Sequence, residues 1–254
     1  MKHIRLKKED HIGQIFLNRG SSNAMDMELV NELTTLIKEL KEDPSVEGIT
    51  FFGKEGFFSS GLDLITLYDY DKDQMQSFWK SFLNLILELL KFEKPAVAGI
   101  TGHSPAGGCV LALCCDYRVM VEGDFIIGLN EVPVGIIVPH AIFELYSFWI
   151  GRSKAYQYLL SGTLLSPQEA LKDGLIHEIV APNRIGTTSI NQAVKLTQFE
   201  KNAWRSTKQN LRAPLVEAFE KDKDEVVDQI LKQWWSPSTR NILKTLIENL
   251  SHKK

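Results

Sequence analysis

No apolar run in this 254-residue chain is long enough to cross a bilayer. The richest, Phe82 to Phe92 (FLNLILELLKF), carries Glu88 and Lys91 and falls short of the roughly 20 residues that a spanning helix needs, so it reads as a core helix. An excess of positive charge is missing too. The 29 Lys and Arg against 32 Asp and Glu leave a formal charge of -3, and the Lys7-Lys8 and Lys253-Lys254 pairs read as solvated ends. Neither nucleic acid nor a membrane is an expected partner. Cysteine is scarce: Cys109, Cys114 and Cys115 share one apolar stretch without C-x-x-C spacing or a nearby histidine pair. They read as buried thiols of a reducing compartment. His103 and His140 have no metal-spaced partner, and no metal is expected. MKHIRLKKEDHIGQIFLN lacks the apolar core of a signal peptide and the acid-poor look of a transit peptide, and SHKK is not a peroxisomal ending. A cytoplasmic location is the expectation.

What is present has the composition of an ordinary folded soluble chain, 44% hydrophobic and 24% charged. Short β-branched runs at 13–18, 46–53, 95–100, 117–121 and 174–180 read as strands. Between them, 25–43 and 73–92 place apolar residues at three- and four-residue intervals, as a helix face on a core requires. Alternating β and α predicts an α/β fold. From about Ile185 the strand signal ends, and 188–199, 213–235 and 236–254 carry helical periodicity, the last with Ser236 as N-cap and Pro237 at the first helical position. Trp234 and Trp235, where one of these helices ends, suit the chain's own core better than a subunit interface. No internal repeat or low-complexity linker is visible.

One stretch, ITGHSPAGGCVLALCCDYR (100–118), poses a choice between two enzymes. Gly102 to Ala106 resembles a G-x-S-x-G nucleophile elbow, but its last glycine is missing and the residue after Ser104 is Pro105, which has no N–H to donate to an oxyanion. Ser104 is therefore rejected as a nucleophile. What remains is a strand, a turn, and Ala106, Gly107 and Gly108 opening an apolar helix. The N–H groups of a first helical turn have no intrahelical partner and face the positive end of the dipole, which suits an oxyanion. Small residues that merely let a helix pack near a strand explain the motif equally well.

Two further stretches have chemical character. In GFFSSGLDL (56–64), Gly61 implies unusual backbone geometry that could aim the Leu62 N–H at a ligand. In IIGLNEVPVGIIVP (126–139), Glu131 is the one charged residue of fourteen. Burial among such neighbours would raise its pKa and make it a better base; a solvent-facing glutamate between two turns is the competing and, from sequence alone, stronger reading. Asp63, beside the Gly61 turn, suits backbone capping better than acid catalysis. Asp116 and Arg118 are expected to form a local pair. Phe78, Trp79 and Phe82 are placed to line an acyl tunnel or to fill the core.

Taken jointly and in this order, FFSSGLDL, SPAGGCVLALCCDYRVM and IGLNEVPVGIIVP resemble the crotonase (enoyl-CoA hydratase/isomerase) superfamily, and within it the mitochondrial-type isomerases acting on the Δ3 double bond. The resemblance covers about 10–180. It implies an α/β fold with a crotonase-like ββα spiral core carrying the acyl-CoA site over 1–195, and a C-terminal helical region over 196–254 for packing and oligomerisation. It implies backbone N–H groups of Leu62 and Gly107 as an oxyanion hole, Glu131 as catalytic acid/base, and Ser60, Gly61, Leu62, Asp63, Leu64, Gly107 and Asn130 around the substrate. The family's hydratases carry a second glutamate three residues after the oxyanion-hole glycine. Here that position is Val110, which cannot activate water.

The implied activity is conversion of a 3-enoyl-CoA to trans-2-enoyl-CoA by one group that takes a proton and returns it elsewhere, with coenzyme A as part of the substrate and no other cofactor. An enoyl-CoA hydratase or another acyl-CoA enzyme of the same fold, and a catalytically silent acyl-CoA-binding protein, are the alternatives. The resemblance also implies a homotrimer or a dimer of trimers.

Overall fold

A computed structural model describes residues 1–221 and 223–251. Its strands are β1 (Ile4–Glu9), β2 (Ile12–Leu17), β3 (Gly48–Phe52), β4 (Gly56–Phe57), β5 (Ala96–Ile100), β6 (Gly102–Pro105), β7 (Tyr117–Val121), β8 (Ile127–Gly128), β9 (Leu164–Leu165) and β10 (Glu178–Val180). The helices are α1 (Met27–Glu42), α2 (Leu64–Tyr68), α3 (Lys72–Leu90), α4 (Gly107–Leu113), α5 (His140–Ile150), α6 (Arg152–Ser161), α7 (Pro167–Lys172), α8 (Ile185–Thr197), α9 (Lys201–Glu220), α10 (Lys223–Trp234) and α11 (Pro237–Ser251). A 3-10 turn spans Val132–Val134.

Two sheets organise the chain, in the orders β1-β2-β3-β5-β7-β10 and β4-β6-β8-β9. Three times the chain lays a strand in the first sheet, crosses a few residues later into the second, and then turns into helix: β3-β4-α2, β5-β6-α4 and β7-β8-α5. Because β3, β5 and β7 are parallel, as are β4, β6 and β8, each circuit advances the chain by one strand. This is the ββα spiral. Strands β3 and β5 are buried along their whole length, as helices on both faces of a parallel sheet require. On one face α1 presents Leu29, Val30, Leu33, Leu36, Ile37 and Leu40 at helical spacing, and α3 packs beside it. On the other face Ala193 of α8 joins Ile12, Val97 and Val119 in a smaller cluster.

Three elements and one expected side-chain pair differ from the sequence reading. Gly102 to Pro105 is strand β6, not a turn, because it pairs with both β4 and β8. The strand expected over 174–180 is confined to Glu178–Val180. Leu175 and Ile176 instead donate their N–H groups to Ala170 O at 2.8 and 3.3 Å, closing α7. The helical stretch from residue 213 is two helices, and α9 starts at Lys201. Its inward positions are occupied by Lys208 and Arg212, so apolar periodicity was absent where the helix begins. Finally, Asp116 and Arg118 do not pair. Asp116 takes Lys208 and Arg212, while Arg118 donates to Leu175 O and Cys115 O and stacks 3.7 Å over the Trp149 ring.

Phe78, Trp79 and Phe82 are buried in the main core. Trp234 is buried there too, and Ser236 Oγ caps α11 by accepting from Thr239 N at 3.3 Å. Among the described residues no helix is long and apolar enough to cross a membrane.

Candidate active site

The turn after β4 is knitted to the loop that leads into α1. Met25 N donates to Gly61 O at 2.7 Å and Asp63 N donates to Met25 O at 2.9 Å. Since alternate residues of an extended segment face opposite ways, these two bonds leave the N–H of Leu62 pointing away from that loop. Among the described residues it has no acceptor. Ser59 Oγ donates to Asn23 O at 2.8 Å, and Ser60 N donates to Ser22 O at 2.9 Å. Gly61 has φ +84°, and a Cβ there would lie 2.9 Å from Ala106 Cβ and 3.0 Å from Gly107 N. Only glycine allows both that backbone and that approach.

Across this contact, Ala106 holds φ 50°, ψ -125°, a conformation that L-residues adopt at a cost of about 1–3 kcal/mol. Its own N–H donates to Gly128 O at 2.8 Å, which anchors the strained peptide at the helix start. Gly107 N–H also has no acceptor among the described residues. Gly108 sits one step further in, where a Cβ would be 2.3 Å from Ser59 O. Gly108 thus allows close packing, while Gly107 N–H has no acceptor among the described residues.

Glu131 follows β8 and begins the 3-10 turn. Its carbonyl accepts from Val134 N and Ile136 N at 3.1 and 2.9 Å, which folds the loop back on itself. The residue is half-buried and does not simply face solvent. Oε2 is enclosed and has no hydrogen-bond partner, and burial raises the group from its ordinary 4.5 to about 7.

These segments converge on one cavity of about 680 Å³, whose wall includes Ser60, Leu62, Asp63, Leu64, Ala106, Asn130 and Glu131. Gly61 and Gly107 are not in that wall, but they adjoin its residues Ser60, Leu62 and Ala106 in sequence and approach each other closely. Asp63 caps α2, accepting from Thr66 N at 3.1 Å. Burial alone would raise its carboxyl, but the Thr66 hydroxyl and N–H and the Arg19 guanidinium bring it below its ordinary value, so it is a poor acid at neutral pH. Val110 is buried in the core.

Ser104 is fully buried and its Oγ has no partner. The neighbouring His103 ring accepts from Ile126 N at 3.2 Å and packs between Phe57 and Phe125, so no base is available to the serine. The thiols are free and buried, and burial pushes Cys114 up to about 12.

Sequence reasoning missed Arg19, Ser22 and Leu246, which also line the cavity. Arg19 Nη2 bridges Asp26 Oδ2 and Asp63 Oδ2, each at 2.7 Å, and so ties the start of α1 to the Leu62 turn. No local pattern in NRGSSNAMD signals this, because the partner is 44 positions away (63 minus 19).

A ββα spiral with a cleft whose wall holds Leu62, Ala106 and the enclosed Glu131 Oε2 defines the class of α/β protein to which the fold and site belong. The chain belongs to the enoyl-CoA hydratase/isomerase family, whose model matches residues 7–241. It is 32% identical over 234 residues to the mouse protein "Enoyl-CoA delta isomerase 1, mitochondrial", covering 91% of this chain and 81% of that one. A "Probable enoyl-CoA hydratase, mitochondrial" of Dictyostelium discoideum is 30% identical over 200 residues, covering 76% and 69%. The crystal structure of human mitochondrial delta3-delta2-enoyl-CoA isomerase superposes with a TM-score of 0.95 at 26% identity, over 99% of both chains.

Proposed function

We propose that the chain is a Δ3,Δ2-enoyl-CoA isomerase, moving the double bond of a 3-enoyl-CoA into conjugation with its thioester. The observation that carries this reading is the enclosed, unpartnered Glu131 Oε2 in the wall of the cavity that Leu62 and Ala106 also line. Ionised Glu131 takes a proton from C2, and the C–H electron pair pushes the carbonyl pair onto the thioester oxygen. Leu62 and Gly107 N–H groups hold that oxygen, each donor contributing roughly 3–4 kcal/mol to a transition state in which the charge is developing. The dienolate then collapses. The carbonyl re-forms, the remaining π pair settles between C2 and C3, and C4 takes the proton back from Glu131. Proton transfers alone balance the reaction, so no metal or redox cofactor is invoked. Ser60, Gly61, Asp63, Leu64 and Asn130 frame the acyl-CoA in this scheme.

Two relatives carry the names of different reactions, and Val110 favours the isomerase. Hydration needs a second group to activate water, and a valine in the core offers none. The test is to supply a 3-enoyl-CoA and follow the conjugated product by absorbance. Turnover is expected. Binding without turnover would mean a silent binding protein, faster hydration of a 2-enoyl-CoA a hydratase, and fluorophosphonate labelling of Ser104 a hydrolase.

Two coarser features complete the proposal. Tyr156 and Leu160, exposed on α6, supply apolar surface of the kind that self-association covers, and a homotrimer or dimer of trimers is the assembly we assign, with sedimentation as the check. Buried, unpaired thiols support a reducing compartment, and we place the chain in the cytoplasm. Cell fractionation tests this against the mitochondrial label that the mouse relative carries.

A further inference from the structure

We propose that Thr239 and Arg240, adjacent at the start of α11, are positioning residues that hold the Glu131 loop and the Leu62 turn at a fixed separation. This rests on the isomerase reading above. Successive residues of a helix project about 100° apart, so two neighbours can reach two different elements.

Thr239 is fully buried, and its Oγ1 donates to Gly135 O at 2.9 Å while accepting from Gln233 Nε2 at 2.9 Å. Gly135 closes the base-bearing loop, with φ +79° and its N–H on Val132 O at 2.9 Å. A Cβ at Gly135 would lie 3.0 Å from Thr239 Oγ1, so the helix and the loop backbone are in close approach. The internal bonds of the loop, from Val134 and Ile136 to Glu131 O, fix its shape but not its place in the cleft. The Thr239 hydroxyl supplies a tie between that shape and the rest of the fold.

Arg240 holds the other side. Both terminal nitrogens donate to Tyr68 O at 3.1 Å, and the guanidinium lies 3.4 Å from the centre of the Tyr68 ring and 4.8 Å from that of Trp235. Among the described residues no carboxylate pairs with it. Tyr68 ends α2, whose N-cap is Asp63, the residue after Leu62. Two turns further along α11, Leu246 enters the cavity wall. The C-terminal helix is thus part of the site, not only a packing element. It spans from the loop that carries Glu131 to the helix that follows Leu62, and a shift of about 1 Å between groups on those elements costs rate in a reaction of this kind.

The experiment uses the full chain. Wild type is first assayed with 3-enoyl-CoA; if it does not turn over, the isomerase reading fails, and the tie is then judged by hydrogen exchange alone. T239V, which keeps shape and loses the donor, is expected to lower kcat about ten- to a hundredfold with KM within about twofold. Exchange should quicken in peptides covering 131–138 and stay unchanged in β3 and β5. T239S, which keeps the hydroxyl, should restore kcat. Wild-type kcat and wild-type exchange in T239V would overturn the proposal, as would a T239S as slow as T239V, since that would make the residue a packing group. Should T239V fail to fold, R240Q at the half-buried Arg240 tests the same tie from its other end: a loss of kcat with KM retained supports it, and unchanged kcat overturns it.

Discussion

Asp116 lies at the seam between the sheet and the C-terminal helices, where it accepts from Ala96 N at 2.8 Å, Lys208 Nζ at 2.7 Å and Arg212 Nη2 at 2.9 Å. Glu131 lies in the cleft with Oε2 enclosed and no partner. Both are carboxyl groups withdrawn from water, yet one accepts from three donors and the other leaves Oε2 without a partner. A carboxylate paired with two cations and a backbone N–H has its charge compensated within the fold and is not placed to carry a substrate proton. A carboxyl left uncompensated is pushed up to about 7 by burial, where it can both take and return a proton at neutral pH. The cohesion of the fold and the chemistry of the site thus use the same group in opposite electrostatic settings. Even the cations feel the seam: burial pushes Lys208 down to about 8, against the pull of Asp116.

The sharpest way to break this contrast is Glu131→Gln. It should cut turnover of 3-enoyl-CoA by about 10²- to 10⁴-fold, the usual contribution of a positioned acid/base, while acyl-CoA binding followed by calorimetry stays close to wild type. A mutant with near-normal turnover would remove Glu131 from the chemistry. Asp116→Ala should do the reverse. Two buried cations would be left without their anion, and urea unfolding should register a loss of about 3–5 kcal/mol, with kcat per folded molecule retained.

Gly61→Ala tests the donor side of the cleft. The added methyl meets both a positive φ and the Ala106–Gly107 backbone, and displacing one oxyanion donor should lower kcat about 10²- to 10³-fold. An alanine variant of full activity would show that the Leu62 N–H does not serve the reaction.

The smallest effects are those of pH. In the proposed mechanism Glu131 acts ionised, so kcat/KM should rise with pH and level off above about 7. Stability runs the other way. The folded-state pKa is raised above the unfolded value, so the contribution is fully present below 4.5 and is lost as pH climbs to about 7, by at most about 3 kcal/mol. Thermal unfolding of wild type and E131Q should therefore differ most at pH 8, with E131Q the more stable, and converge near pH 4.

Much of this was legible in the chain. Helices α1 and α3 follow the apolar spacing of 25–43 and 73–92, because a helix on a core has no other way to be written. Strands β3, β5 and β7 are short β-branched runs for an equally local reason. Illegible were the elements whose inward positions carry charge or whose identity depends on pairing. The first half of α9 hides behind Lys208 and Arg212, and β6 is a strand only because β4 and β8 flank it. Asp116 lies two residues from Arg118 in sequence, and only the folded chain shows that its partners come from α9.

The sequence alone determined which residues have the chemistry: a lone glutamate in an apolar run, a proline that disarms Ser104, and glycines where the backbone must bend or come close. Those properties belong to single residues and their immediate neighbours. Tertiary structure decided whether the glutamate is dry or wet, that the turn at Gly61 meets the helix start at Gly107, and that Arg19 and α11 join the cleft. Burial and long-range contact depend on what the rest of the chain brings to a point in space, and no local pattern encodes that.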